Sequence, residues 1–180
     1  MELEQSLLEV LAAPYDVGRL EAIFVRPKTN ERRELTTAEL TPDRGIEGDR
    51  WMCDSYYRLK GGASDPRCQV SLMNVRFLRQ IAGNDDAICL AGDNLIVDLD
   101  LSEANLPAGS RLAIGNNVMI EISDLSHTGC SKFQSRYGKE ARTFTNNQRG
   151  KSLHLRGRYA RIVTGGTICV GDRVCKFDPA

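Results

Sequence analysis

The heptapeptide HTGCSKF, His127 to Phe133, sets one cysteine between a glycine and a lysine where helical spacing begins. A thiol is mostly protonated at neutral pH. A helix N-terminus or a neighbouring cation favours the thiolate, the form that attacks electrophiles and binds soft metals. Cys130 is therefore a candidate nucleophile or metal ligand, Lys132 the first candidate for tuning it and His127 the second. The competing reading is packing, since free cysteines often behave as small buried hydrophobes. His127 and Cys130 could form a Cys/His pair, but sequence identifies no third group to orient the imidazole. A zinc site fails on numbers: His127 and His154 are the only histidines, and no cysteine pair has ligand spacing.

Charge is unevenly spread around this thiol. From Cys130 to Arg161 there are nine basic residues (Lys132, Arg136, Lys139, Arg142, Arg149, Lys151, Arg156, Arg158, Arg161) against the single acid Glu140. Residues 84–110 carry six acids (Asp85, Asp86, Asp93, Asp98, Asp100, Glu103) and no Lys or Arg. Two readings follow: solvated faces that partly neutralise each other, or a seat for an anionic small molecule. In the second, RGRYAR offers guanidinium forks suited to phosphate. Arg156 and Arg158 are the preferred contacts, because Arg161 has opposite parity on a regular strand. GIEGDRW, Gly45 to Trp51, supplies two glycines that permit close backbone approach, with Asp49 and Arg50 as candidate groups at a pocket rim. A β-turn beside a core tryptophan explains it equally well.

A chain of 180 residues is most simply one domain with a self-sufficient core. Its formal net charge of +0 gives no overall preference for nucleic acid or membrane, and its few aromatics argue against a base-stacking surface. Six cysteines at irregular spacings read as reduced thiols. The acidic N-terminus and the absence of any apolar run near ~20 residues make a cytoplasmic protein without membrane association the expectation. GxGxxG and GxxxxGK[ST] do not occur, which removes support for the usual nucleotide sites.

Most of the segments that must position these groups are strands. GRLEAIFV, ELTTAELT, CQVSLM, NLIVD, RLAIG, VMIEIS, YARIV, TICV and RVCKF are short, β-branched or alternating, and separated by Gly, Asn, Asp or Pro. So many strands require a sandwich or a closed barrel. Residues 1–13 place Leu3, Leu7, Leu8 and Leu11 on one side of a helix, an N-terminal arm over residues 1–17 that packs on the domain or on a partner. Asn74 caps a helix NVRFLRQIA that Gly83 ends, and Phe133, Tyr137, Ala141 and Phe144 fall at helical spacing after Cys130, with Gly138 breaking or bending that stretch. Residues 52–67 read as a long loop. GGTICVGDRV reads as a hairpin with turns at Gly165–Gly166 and Gly171–Asp172.

Taken in order, these segments resemble the MOSC domain, the module at the C-terminus of molybdenum cofactor sulfurases that also occurs as small stand-alone proteins. The likeness covers roughly residues 18–177. It rests on GRLEAIFV, GIEGDR, QVSL at 69–72, GDNL at 92–95, LPAGSRLAIG at 106–115, the cysteine of HTGCSKF and RGRYARIVTGGTICVGDRV at 156–174. The resemblance implies a mainly β, MOSC-like β-barrel with a few helices, a single domain over residues 18–180. It also implies one cysteine, here Cys130, that carries sulfur as a persulfide or meets the metal of the molybdenum cofactor (molybdopterin). Two positions depart from the pattern. Gly129 precedes the cysteine where the family often has proline, which predicts a looser local backbone, and Trp51 follows GDR where histidine is common.

The expected function is thus a stand-alone MOSC protein acting through Cys130 as sulfur carrier or molybdenum ligand, with basic residues holding a pterin phosphate. Pyridoxal phosphate is not expected in this chain, so sulfur would come from a donor protein, and a molybdoenzyme is the other expected partner. One alternative is a molybdenum-cofactor-dependent reductase of N-hydroxylated compounds. Another, of a different class, is a non-catalytic β-barrel whose basic segment binds nucleic acid or an acidic protein, with Cys130 simply buried.

Overall fold

The computed structural model describes residues 2–177, with side chains from Leu7 onward. In chain order the elements are α1 (Glu2–Leu11), β1 (Val17–Val25), β2 (Arg33–Leu35), β3 (Thr37–Thr41), β4 (Gly45–Ile46), α2 (Trp51–Asp54), β5 (Val70–Asn74), α3 (Val75–Ala82), β6 (Leu95–Asp98), β7 (Arg111–Ile114), β8 (Val118–Ile122), α4 (Ser131–Asn146), α5 (Gln148–Ser152), β9 (Arg158–Thr164), β10 (Gly166–Cys169) and β11 (Arg173–Phe177). Short 3-10 turns occupy Pro66–Cys68 and Asp85–Ala91.

Successive side chains on a strand face opposite ways, and here the two faces feed two apolar clusters. Leu20, Ile23, Leu72, Leu95, Val97, Leu112 and Ile120 fill the inside. Their strand neighbours Phe24, Met73 and Ile96 point outward and are covered by Leu7, Val10, Phe77, Leu78, Phe133 and Leu155. Strands hydrogen-bond in the order β11-β7-β8-β9-β5-β6-β1, and β1 pairs again with β11, so the sheet closes into a seven-stranded barrel. The closing register sets Val17 against Cys175. β5 and β6 are parallel and joined through α3, and the other pairs are antiparallel. A small sheet β10-β3-β4 lies beside the barrel, and β2 extends the far end of β1. The expected mainly β barrel, a single domain with few helices, is what the chain adopts.

α3 begins and ends as its sequence predicts. Asn74 accepts from the N–H groups of Arg76 and Phe77, and Gly83 closes the helix at φ 73°. α1 lies against the domain: Arg76 donates to the carbonyls of Glu9 and Ala12, satisfying the end of that helix. Its buried stripe is Leu7 and Val10, whereas Leu8 is 69% and Leu11 52% exposed, so the expected leucine face is corrected by about one position. The side chain of Leu3 lies outside the described residues.

Two further expectations change. GGTICVGDRV is not a hairpin: β10 pairs with β3, whereas β11 pairs with β1 and β7. Gly171 at φ 96° and the Asp172 carboxylate, which accepts from the Cys169 N–H at 2.8 Å, turn the chain from one sheet to the other. The 52–67 stretch is partly ordered by its own bonds. α2 takes its first residues, and Arg58 bridges to Ser64 and donates to the carbonyls of Gly62 and Cys53. Trp51 is a core residue whose indole N–H donates to the carbonyl of Asp65.

Candidate functional site

Cys130 occupies the N-cap position of α4, with φ −88° and ψ 179°. The side chain is too exposed to count as core. Its partial burial opposes charge, but the backbone N–H groups of Phe133 and Lys132, the Arg156 guanidinium and its own N–H outweigh that, so the thiol is held below its ordinary pKa. Lys132 bears on the sulfur through its backbone amide, and its side chain is exposed.

The glycine before the cysteine is not loose. Asn146, near the far end of α4, accepts from the Gly129 N–H at 2.8 Å and donates to its carbonyl at 2.9 Å. Arg142 Nε donates to the same carbonyl at 3.1 Å. A Cβ at 129 would meet Thr145 Oγ1 at 2.9 Å, so side chains from the end of the helix hold the backbone that proline would otherwise stiffen. Gly138, at φ 89°, breaks the helix midway and lets its second half fold back toward the first.

Behind the thiol lies a buried polar group. Arg156 forms an ion pair with Asp93 at 2.6 Å, donates to the Ala91 carbonyl at 3.1 Å, and sits 4.9 Å above the Phe133 ring. Asp93 is wholly buried. Desolvation pushes its carboxyl up, against the pull of Arg156. His127 stacks on Tyr159 with ring centroids 4.1 Å apart, and its Nδ1 stands 3.6 Å from Asp93 Oδ1. Burial, then the Arg156 and Arg26 cations, pull His127 well below its usual pKa, so the imidazole is neutral. Asp93 Oδ1, His127 Nδ1 and Arg156 Nε are buried with no hydrogen-bond partner, three unsatisfied atoms in one place.

Asp49 and Arg50 face different partners. Asp49 is a buried acceptor for Arg26 Nε at 2.9 Å, Arg26 Nη2 at 3.0 Å, Asn94 Nδ2 at 3.0 Å and the Trp51 N–H. Arg26 thus holds its carboxyl below the usual range despite burial. Arg50 donates to Thr29 and pairs with Asp54. A cavity of about 90 Å³ beside Arg50 is lined by Arg26, Arg50, Trp51, Tyr57 and Tyr159, and Asp49 is not part of its wall. Arg158 does not share a partner with Arg156: it is buried and bonded to Glu103 at 2.8 Å, which also meets His154 at 2.7 Å. Gly157, at φ 102°, separates the two arginines and breaks the strand parity that would align them. Arg161 pairs with Glu121.

The structure therefore brings Cys130, Arg156 and His127 into one neighbourhood and places Asp49 and Arg50 across the Arg26 side of it. Sequence reasoning overlooked Arg26, Asp93, Asn94 and Tyr159. GDNL held the signal for two of them, since buried Asn94 accepts from Arg26 and Ser71 while donating to Phe24 and Asp49.

The fold is shared with solved structures. The YuaD protein of Bacillus subtilis superposes with a TM-score of 0.59 at 15% identity, over 90% of this chain and 97% of that one. YiiM from Escherichia coli gives 0.56 at 17% identity, over 90% and 71%. YiiM from Geobacillus stearothermophilus gives 0.56 at 15% identity, over 89% and 75%. None of the curated proteins compared with the chain matches it. The model of the MOSC domain matches residues 56–175, a span that includes Asp93, His127, Cys130 and Arg156. With that match over two thirds of its length and the barrel that closes around it, the chain belongs to the MOSC domain family.

Proposed function

We propose that the protein handles sulfur or binds molybdenum cofactor through Cys130. The observation that carries this is the exposed thiol on the N-terminus of α4, held toward its thiolate by backbone amides and Arg156.

The residues fit such a group. Among the described residues no set of three or more His, Cys, Asp or Glu could enclose a free metal ion, so Cys130 offers a single soft ligand suited to a metal that arrives with its other ligands. The unpartnered atoms of Asp93, His127 and Arg156 leave polar capacity next to it. The cofactor would supply a redox-active metal centre. This chain's residues would ligate it through Cys130, favour the thiolate through Arg156, and present Arg50 and Asp49 on the Arg26 side. Arg158, committed to Glu103, would hold β9 in place.

In the sulfur-carrier form, the Cys130 thiolate attacks the outer sulfur of a donor protein's persulfide. The new S–S bond forms on Cys130 as the donor's S–S bond breaks, and the donor leaves as a thiolate. Neutral His127 and the Lys132 ammonium are the nearby groups in sequence for proton exchange at this point.

Mass spectrometry of freshly purified protein, with elemental analysis, tests the reading: a mass increase of one sulfur on Cys130, or molybdenum lost in Cys130→Ser, is expected. Sulfur carried on another cysteine, or metal and sulfur unaffected by Cys130→Ser, would refute it. Stoichiometric molybdenum would favour the reductase form. A non-catalytic basic binding surface is disfavoured, because Arg156, Arg158 and Arg161 are each paired with a carboxylate.

A further inference from the structure

Residues 90–92 end the 3-10 turn, with Gly92 in the left-handed region at φ 80°. Three successive carbonyls there each accept from a different guanidinium. Leu90 takes Arg136 at 2.8 Å, Ala91 takes Arg156 at 3.1 Å, and Gly92 takes Arg26 at 3.3 Å. A fourth, Arg32, comes in over Gly92 itself: a Cβ at that position would stand 3.1 Å from Arg32 Nη2 and 3.6 Å from Arg136 Nη1. The glycine leaves open the point on which both side chains converge.

The charges do not balance. Asp49 neutralises Arg26 and Asp93 neutralises Arg156, but among the described residues Arg32 and Arg136 bond to the backbone carbonyls of Glu31 and Leu90 alone. Among the described residues neither meets a carboxylate, and Arg32 Nε is buried with no partner. Burial first, then the Arg136, Arg26 and Arg50 cations, pull Arg32 below its ordinary pKa, as expected for a cation pressed against like charge. Two uncompensated guanidinium groups over one glycine match the charge and fork geometry of a phosphate dianion.

We propose that Arg32 and Arg136, meeting over Gly92, form a phosphate-binding seat for the phosphate end of an anionic small molecule. Arg136 lies six residues after Cys130 on α4, roughly 9 Å along the helix at 1.5 Å per residue. In the proposed function, the other end of a phosphate monoester seated there would be the part that approaches the thiol. Only that second contact rests on the proposed function. Phosphate binding itself needs neither sulfur nor molybdenum, so the two readings can fail separately.

The test is titration of the purified chain with inorganic phosphate and with phenyl phosphate, followed by thermal unfolding and calorimetry at ionic strength held constant with chloride. Saturable binding is expected, weakened at least tenfold in Arg32→Gln and in Arg136→Gln, and unchanged in Lys139→Gln, an exposed cation on the same helix. Tighter binding of phenyl phosphate would identify a monoester as the ligand, and equal binding would identify free phosphate. Should a variant fold poorly, phosphate must still protect Arg32 and Arg136 of the unaltered chain from phenylglyoxal, read by peptide mass. An effect no larger than that of chloride, equal loss in Lys139→Gln, or no protection of these two arginines would overturn the proposal.

Discussion

Replacing Asn146 with alanine should unsettle the reactive thiol from the opposite end of its helix. The amide of Asn146 serves both backbone groups of Gly129, at 2.8 Å and 2.9 Å. Its loss is unequal for the two. The Gly129 carbonyl keeps Arg142 at 3.1 Å, whereas the buried Gly129 N–H is left with nothing. An orphaned buried donor costs about 1–3 kcal/mol, and loss of the second, partly redundant bond adds about 0.5–1 kcal/mol, so a destabilisation of about 1.5–4 kcal/mol is expected by urea unfolding. The chemistry should move with it. The thiolate depends on the amides of Lys132 and Phe133, and a Gly129 that drifts takes the sulfur out of line with them. The midpoint of Cys130 alkylation against pH should then rise toward that of an ordinary thiol. It should be followed peptide by peptide, because Cys53 and Cys169 are also exposed. Asn146→Asp is the discriminating companion: it retains the acceptor for the Gly129 N–H but turns the donor that met the Gly129 carbonyl into a second acceptor, so it should recover part of the stability. Equal losses in the two variants, or an unshifted alkylation midpoint in Asn146→Ala, would refute the reasoning.

His127 stays neutral when buried while the unfolded chain binds a proton near its ordinary pKa of about 6.5, so stability should fall as pH drops below that value. His154 is pulled down as well, hence His127→Gln should remove part of the slope in pH-dependent urea unfolding and not all of it. Asp49, held down by Arg26, adds a second loss at lower pH, as its carboxylate is protonated on the way through its depressed folded pKa. Asp49→Asn should flatten the acid limb of thermal midpoint against pH. Gly157→Ala sets a Cβ 2.0 Å from the Leu72 carbonyl at φ 102°, and should cost on the order of 3 kcal/mol or more by the same denaturation assay, because β9 must withdraw from β5.

The strands were legible because alternation is a local property, and each apolar run named from sequence contains or overlaps an observed strand. Pairing was not. Whether TICV sits against RVCKF or against ELTTAELT depends on where Gly171 turns the chain, and turn residues allow both outcomes. The helix carrying Cys130 was legible from its spacing and from Gly138. The clamp on Gly129 was not, since Asn146 reaches it across a fold in the helix that no periodicity encodes. Charge told a similar story: the excess of bases after Cys130 is real, yet Arg156, Arg158 and Arg161 spend their charge on Asp93, Glu103 and Glu121, contacts distant in sequence. Arg32, which like Arg136 meets no carboxylate among the described residues, lay far upstream, where nothing in the sequence pointed to it.

The seam between β1 and β11 has a kinetic consequence. Val17 cannot find Cys175 until the 157 residues between them are in place, so the barrel remains an open ribbon with two free edges until β11 emerges. Contacts this distant slow folding and leave edges available to other chains. Loss of β11 would therefore do more than shorten the protein: it would expose β1 and β7 together, and aggregation rather than a truncated but soluble barrel is the outcome that topology favours.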